Sequence, residues 1–154
     1  MSLIEDKLKQ LGIDLPQSPA PVANYVPAVR TGNLLFLAGT GPATDETGKT
    51  PLGKLGDDMT VEEGYAAARL VGMNVLGRLK KDLGSLDRVK RVVKLLSMVN
   101  CTGDFTDQPA VANGASDLLV EVFGDKGKHA RSAVGMVSLP GRIPVEIEAI
   151  VEIE

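Results

Sequence analysis

Residues 145–154 alternate almost without a break. Val145, Ile147, Ala149, Val151 and Ile153 share one face of an extended strand, the expected core face. Glu146, Glu148, Ile150, Glu152 and Glu154 share the other. Acidic residues alone on that second face would read as a solvated surface, and Glu152 and Glu154 are read so. The apolar Ile150 among them implies that the face is partly covered, as by another subunit. Upstream the period changes. Residues 60–83 carry Val61, Tyr65, Ala68, Gly72, Val75, Leu79 and Leu83 at helical spacing, and Thr60 with Glu63 forms a capping box at their start. Gly64, Gly72 and Gly77 weaken such a helix unless they permit close packing against a sheet.

The remaining elements follow from the same patterns. Residues 2–12 predict a short helix with Ser2 as cap, Glu5 as its capping-box partner and a stripe of Leu3, Ile4, Leu8 and Leu11, closed by Gly12. Residues 14–27 hold four prolines and predict an extended connection. Residues 28–30 and 34–38 predict a hairpin around Thr31, Gly32 and Asn33. Residues 39–58 form a long loop, and loops of that length are usually functional. Residues 89–99 read as a strand. A second helix starts near Asp107 and Pro109, with Val111, Ala115, Leu118, Leu119 and Val122 on its apolar side, and Gly124 closes it. Residues 132–138 and 144–154 are strands on either side of a turn at 139–142. The order is α, β, β, α, β, α, β, β, with hairpins expected at both ends. It predicts an α+β protein, a mixed sheet with helices on one face. The other face then needs cover, which subunit association supplies.

Composition narrows the chemistry. A chain of 154 residues suits one domain. Its one cysteine, Cys101, and one histidine, His129, leave no disulfide framework and no zinc cluster, and fit a reducing compartment. The net charge of −3 argues against a generic polyanion surface. The basic run Arg88, Lys90, Arg91 and Lys94 reads as a solvated strand face. With 3% aromatics and no Trp, stacking platforms for nucleic acid are scarce. No run reaches the ~18 apolar residues of a membrane helix, and the start of the chain lacks a secretory pattern, so a cytoplasmic location is expected. Gly39-Thr40-Gly41 lacks the third glycine of a dinucleotide loop, Gly48-Lys49-Thr50 lacks the earlier glycine of a phosphate loop, and Ser132 is in no nucleophile elbow.

Arg131 stands at the head of the 132–138 strand. An arginine there is most often a surface charge; the sharper reading is a fork that holds a substrate carboxylate bidentately. If the last two strands form a hairpin, Arg131 and the Glu146/Glu148 end do not lie side by side in one sheet, though they could meet across a subunit boundary.

The segments His129-Ala130-Arg131-Ser132-Ala133-Val134-Gly135, Leu139-Pro140 and Val145-Glu146-Ile147-Glu148-Ala149-Ile150 together resemble the C-terminal signature of the Rid (reactive intermediate deaminase) family, historically labelled L-PSP endoribonuclease and also YjgF-like. Asn24-Tyr25 through Val29, Thr31 through Gly39, Asp87-Arg88-Val89-Lys90 and Val93-Lys94 extend the likeness upstream. The resemblance implies a chorismate-mutase-like α+β fold and a homotrimer with clefts between subunits. The implied activity is hydrolysis of small 2-imino or enamine carboxylic acids, such as 2-aminoacrylate, to 2-keto acid and ammonia, with no cofactor. Arg131 matches the family's carboxylate-binding arginine and Glu146 the glutamate that positions or activates water. Tyr25 matches a cleft tyrosine, Gly39 a backbone contact and Asn113 a helix asparagine near the cleft; Glu148 is a nearby alternative to Glu146. Ala133 replaces a common cysteine. His129 replaces a common proline and reads as a loop residue rather than a second proton donor. Residues 1–21 are expected as a helical extension and linker, and 22–154 as a single Rid-like domain. A non-catalytic carboxylate-binding trimer and the endoribonuclease activity attached to the family's older label are the competing functions.

Overall fold

A computed structural model describes residues 2–18, 20, 21 and 23–154. The expected domain boundary at Val22 lies outside the described residues. Helix α1 (Leu3–Gln10) is followed by the hairpin β1 (Ala28–Thr31) and β2 (Leu34–Thr40), helix α2 (Val61–Leu83), β3 (Val89–Asn100), helix α3 (Gln108–Phe123), β4 (Ala130–Met136) and β5 (Val145–Ile153). The predicted helices and strands are all present, with ends shifted by a few residues.

The sheet order is β1-β2-β5-β3-β4. The expected C-terminal hairpin does not form: β5 is inserted antiparallel between β2 and β3, while β4 runs parallel to β3 at the sheet edge. The α3 crossover explains this. A strand that returns through a helix lies parallel to the strand it left. The connection after β4 then passes through a single 3₁₀ turn at Pro140–Arg142 instead of reversing tightly.

Both long helices cover one face of the sheet, where Val145, Ile147, Ala149, Val151 and Ile153 join Leu95, Val99, Val71, Leu79, Leu118 and Val122 in one apolar cluster. This is the α+β layering predicted. The capping box of α2 is complete: Glu63 N donates to Thr60 Oγ1 (3.2 Å), and Thr60 N donates to Glu63 Oε2 (2.8 Å). The small residues of α2 serve a different contact from the one expected. Gly72 packs on Ala115 and Leu118 of α3, and a Cβ at Gly114 of α3 would lie 2.0 Å from the Tyr65 carbonyl oxygen. Close approach is therefore helix to helix at Gly72 and Gly114, and at Gly77 helix to the Pro16 carbonyl, 2.5 Å from a Cβ there, rather than helix to sheet.

Helix α1 also departs from its reading. Ser2 Oγ accepts from Glu5 N (3.4 Å), but the Glu5 carboxylate turns to Lys80 Nζ and to Leu86 N (3.0 Å). The distant Asp87 receives the first helical N–H groups, Leu3 and Ile4, both at 2.9 Å. These ties hold α1 against the end of α2. Of the expected stripe, Leu8 is buried and Ile4 packs on the core, whereas Leu3 is 80% exposed. Leu8 belongs to the same apolar cluster as the sheet.

The second sheet face carries no helix. Val29, Phe36, Leu96, Ser132, Glu148 and Ile150 line a groove of about 670 Å³ there. Phe36 and Val29, on β2 and the edge strand β1, are exposed at 41% and 51% and give this face an open apolar surface. Among the described residues, no helix is long and apolar enough to cross a membrane.

Candidate active site

Arg131 pairs with Leu95 across β4 and β3, and Leu95 pairs with Ala149 of β5. Leu95 and Ala149 are core residues, so Arg131 emerges on the helix side of the edge strand. There α3 receives it. Arg131 Nη1 donates to Asn113 Oδ1 and Ser116 Oγ, both at 2.9 Å, and Nη2 donates to the Pro109 carbonyl at 3.3 Å. A guanidinium has five N–H donors in one plane. Three contacts on one side fix that plane and leave donors to offer outward.

His129 is in the loop before β4, as expected, and it joins the same cluster. Its Nδ1 lies 2.6 Å from the Gly127 carbonyl and its Nε2 2.9 Å from Ser116 Oγ. Burial, opposed by the Gly127 hydrogen bond and reinforced by the positive Arg131, keeps the imidazole below its usual pKa. Ser116 went unanticipated. It lies three residues from Asn113 on one face of α3.

Glu146 belongs to a second cluster. It pairs with Met98 of β3, and its side chain stands on the helix-free face. The β2–β5 register shifts between Leu37 and Thr40, and Gly39 sits in that irregularity. A Cβ at Gly39 would lie 2.8 Å from Glu146 Oε1, so glycine makes the room in which the carboxyl group rests. Burial, with Glu148 two residues along, raises the Glu146 pKa above the ordinary glutamate value. Among the described residues no donor reaches Glu146. Tyr25 lines a small cavity with Gly39, Asn74 and Arg78. Asn74 Nδ2 there donates to the Gly41 carbonyl (2.9 Å). Glu148 is exposed and lines the open groove instead.

The structure thus gathers the expected residues into two groups. Arg131, Asn113 and His129 meet at the α3–β4 edge; Glu146 rests against Gly39 at the β2–β5 end, and Tyr25 joins Gly39 only in the cavity towards α2. Within one chain the groups do not meet. Two strand spacings and three residues along β5 separate Arg131 from Glu146, each about 10 Å, and the side chains leave opposite faces of the sheet.

Residues 5–145 match the family model described as "YjgF/chorismate_mutase-like, putative endoribonuclease". The chain is 49% identical over 147 residues to protein TCP17 of Trypanosoma cruzi, covering 95% of this chain and 91% of that protein. It is 30% identical over 142 residues to a protein of Dermatophagoides farinae named 2-iminobutanoate/2-iminopropanoate deaminase, covering 92% and 95%. Its fold is similar to the crystal structure of an Agrobacterium tumefaciens protein of unknown function, with a TM-score of 0.88 at 45% identity over 98% of this chain and 92% of that one. A five-stranded mixed sheet under two long helices, matched over nearly its whole length, makes this chain a member of the YjgF family, and its α+β fold is the chorismate-mutase-like one.

Proposed function

We propose that the protein hydrolyses small 2-imino or enamine carboxylic acids, of the 2-aminoacrylate type, to 2-keto acid and ammonia, without a cofactor, in clefts between the subunits of a homotrimer. One observation carries the reading: an arginine fork held ready for an anion and a carboxyl group of raised proton affinity leave opposite faces of the same sheet. Two copies bring such faces together where one cannot. The exposed apolar groove beside Glu148 gives the neighbouring copy a surface to bury.

Each residue has a part in that cleft. Arg131 takes the substrate carboxylate, and Asn113 steadies the guanidinium. Glu146 of the facing subunit positions water, with Gly39 leaving it space and offering backbone to the ligand, and Tyr25 walling the pocket. An imine carbon is electrophilic once its nitrogen is protonated. Water adds, forming the C–O bond, and gives its proton to Glu146. Glu146 then delivers that proton to the amine, the C–N bond breaks, and the hydroxyl proton passes back to Glu146 as the ketone forms; the departing ammonia takes that proton away as ammonium, leaving Glu146 ionised. A carboxyl group of raised proton affinity suits both halves of this exchange. The named activity of the mite relative is consistent with it.

The test is to generate 2-aminoacrylate in situ with a dehydratase and follow keto-acid release with and without this protein. Acceleration that disappears in Arg131→Ala is expected. A rate equal to the spontaneous one, over a panel of imino-acid side chains, contradicts the proposal.

A further inference from the structure

Ser116 and His129 have no part in the chemistry above, yet they complete a directed chain of hydrogen bonds that ends on Arg131. A carbonyl can only accept, so the Gly127 oxygen at 2.6 Å requires the proton on His129 Nδ1. In the neutral ring Nε2 is then an acceptor. Ser116, at 2.9 Å, donates its single O–H to it. That leaves the Ser116 oxygen lone pairs for Arg131 Nη1, also at 2.9 Å. Each link fixes the polarity of the next.

We propose that neutral His129, acting through Ser116, is a positioning residue that orients the Arg131 fork for its carboxylate ligand, and that protonation of His129 releases it. An imidazolium would present an N–H at Nε2, turn the Ser116 hydrogen away, and set two cations on one oxygen. The inference rests on the carboxylate-binding role proposed for Arg131.

The charged surroundings leave Arg131 as the principal partner. Lys128 and Asp125, on the segment before His129, pair with each other at 2.7 Å. Asp117 on α3 receives the Tyr65 hydroxyl at 2.7 Å. On β3, Lys94 turns to Ser132 at 3.1 Å. Burial together with Arg131 favours the neutral ring.

The chain has a single histidine, so its imidazole C2–H resonance can be titrated by NMR without assignment ambiguity. In the absence of ligand, Ser116→Ala and Arg131→Gln should each raise the His129 pKa. The first removes the donor to neutral Nε2, and the second removes the neighbouring positive charge. If both variants titrate as the wild type does, His129 is an ordinary loop residue and the relay is wrong. This arm holds whether or not the protein is a deaminase.

The second arm measures pyruvate, a product-like carboxylate, by calorimetry. Ser116→Ala should weaken its binding on the order of tenfold, the loss typical of one hydrogen bond to a charged group. Wild-type affinity should fall as His129 takes its proton. His129→Gln supplies an acceptor that does not titrate, so it should bind with near-wild-type affinity at neutral pH and lose that acid-side fall. An unchanged pH profile in His129→Gln overturns the inference. Failure of pyruvate to bind the wild type, with the NMR shifts as expected, overturns the carboxylate role of Arg131 and leaves the relay standing.

Discussion

The two ends of the candidate site are built in opposite ways. Arg131 is surrounded: Asn113, Ser116 and the Pro109 carbonyl hold one side of its fork, and His129 braces Ser116 from behind. Glu146 rests against Gly39 with Glu148 two residues along, and among the described residues no hydrogen-bond donor reaches it. The contrast has a chemical meaning. A group that recognises a planar anion gains from being fixed before the anion arrives. A group that must take and return a proton gains from an environment that narrows the difference between its two states.

The largest effects should come from removing either end. Arg131→Ala should lower kcat/KM by a factor on the order of 10³, the scale of a lost carboxylate clamp with its orientation. Glu146→Gln should cost on the order of 10² to 10⁴ in kcat, the usual worth of a general acid–base group. Both variants should sediment as the wild type does. If either retains full activity with 2-aminoacrylate, its assigned role is wrong.

Gly39→Ala should come next. The added methyl carbon would sit 2.8 Å from Glu146 Oε1, which must move aside. A displacement near 1 Å in a catalytic group can cost about 10²-fold, so activity should fall steeply while the thermal midpoint changes little. Activity like that of the wild type would show that the seat beneath Glu146 has no catalytic use.

The pH profile tests the same carboxyl group more gently. Glu146 titrates above the ordinary glutamate value because of burial first and Glu148 second. If the ionised form accepts the proton of water, activity rises with pH through that elevated pKa. Glu148→Gln removes a like charge, makes ionisation easier, and should move the acid limb to lower pH. A limb that stays in place assigns it to another group. The same elevation has a stability consequence. The folded state binds the proton more tightly than the unfolded chain, so the contribution is full below the unfolded pKa. It is lost as pH rises through the folded one.

The smallest expected effect lies far from the cleft. Glu5 is more than four-fifths buried; burial acts to raise its pKa, but the hydrogen bonds from Lys80 and Leu86 N outweigh it and lower the pKa. Its stabilisation is present above the unfolded pKa and is lost as pH falls through the folded one. Glu5→Ala should cost about 1–3 kcal/mol in urea unfolding, the cost of orphaned charge-assisted bonds, with kcat/KM unchanged. A large loss of activity would tie α1 to the site.

The sequence showed what local periodicity controls. The alternation of β5 predicted its buried and unburied faces, and the Thr60–Glu63 box predicted the start of α2. Pairing was less legible. Adjacent β4 and β5 read as a hairpin, but the α3 crossover lays β4 parallel to β3 at the sheet edge, and β5 pairs on the other side of β3. Partners distant in sequence were invisible, as with Asp87 capping α1 and Glu5 leaving its own cap for Lys80. Arg131 and Glu146 were named as candidates through their resemblance to a family pattern. Ser116 was not, because a helical serine ordinarily faces water, and nothing along the chain shows that β4 brings a guanidinium and an imidazole to it.

The division of the site between chains is the central claim, and subunit mixing tests it most directly. Arg131→Ala and Glu146→Ala proteins, each inactive alone, are unfolded together and refolded as mixed assemblies. If each cleft takes its arginine from one chain and its glutamate from the next, about one cleft in four regains both groups on random mixing. Keto-acid release from 2-aminoacrylate should then recover to about a quarter of the wild-type rate. Mixed assemblies that form but remain as inactive as their parents would place both groups in the same chain's site and contradict the claim.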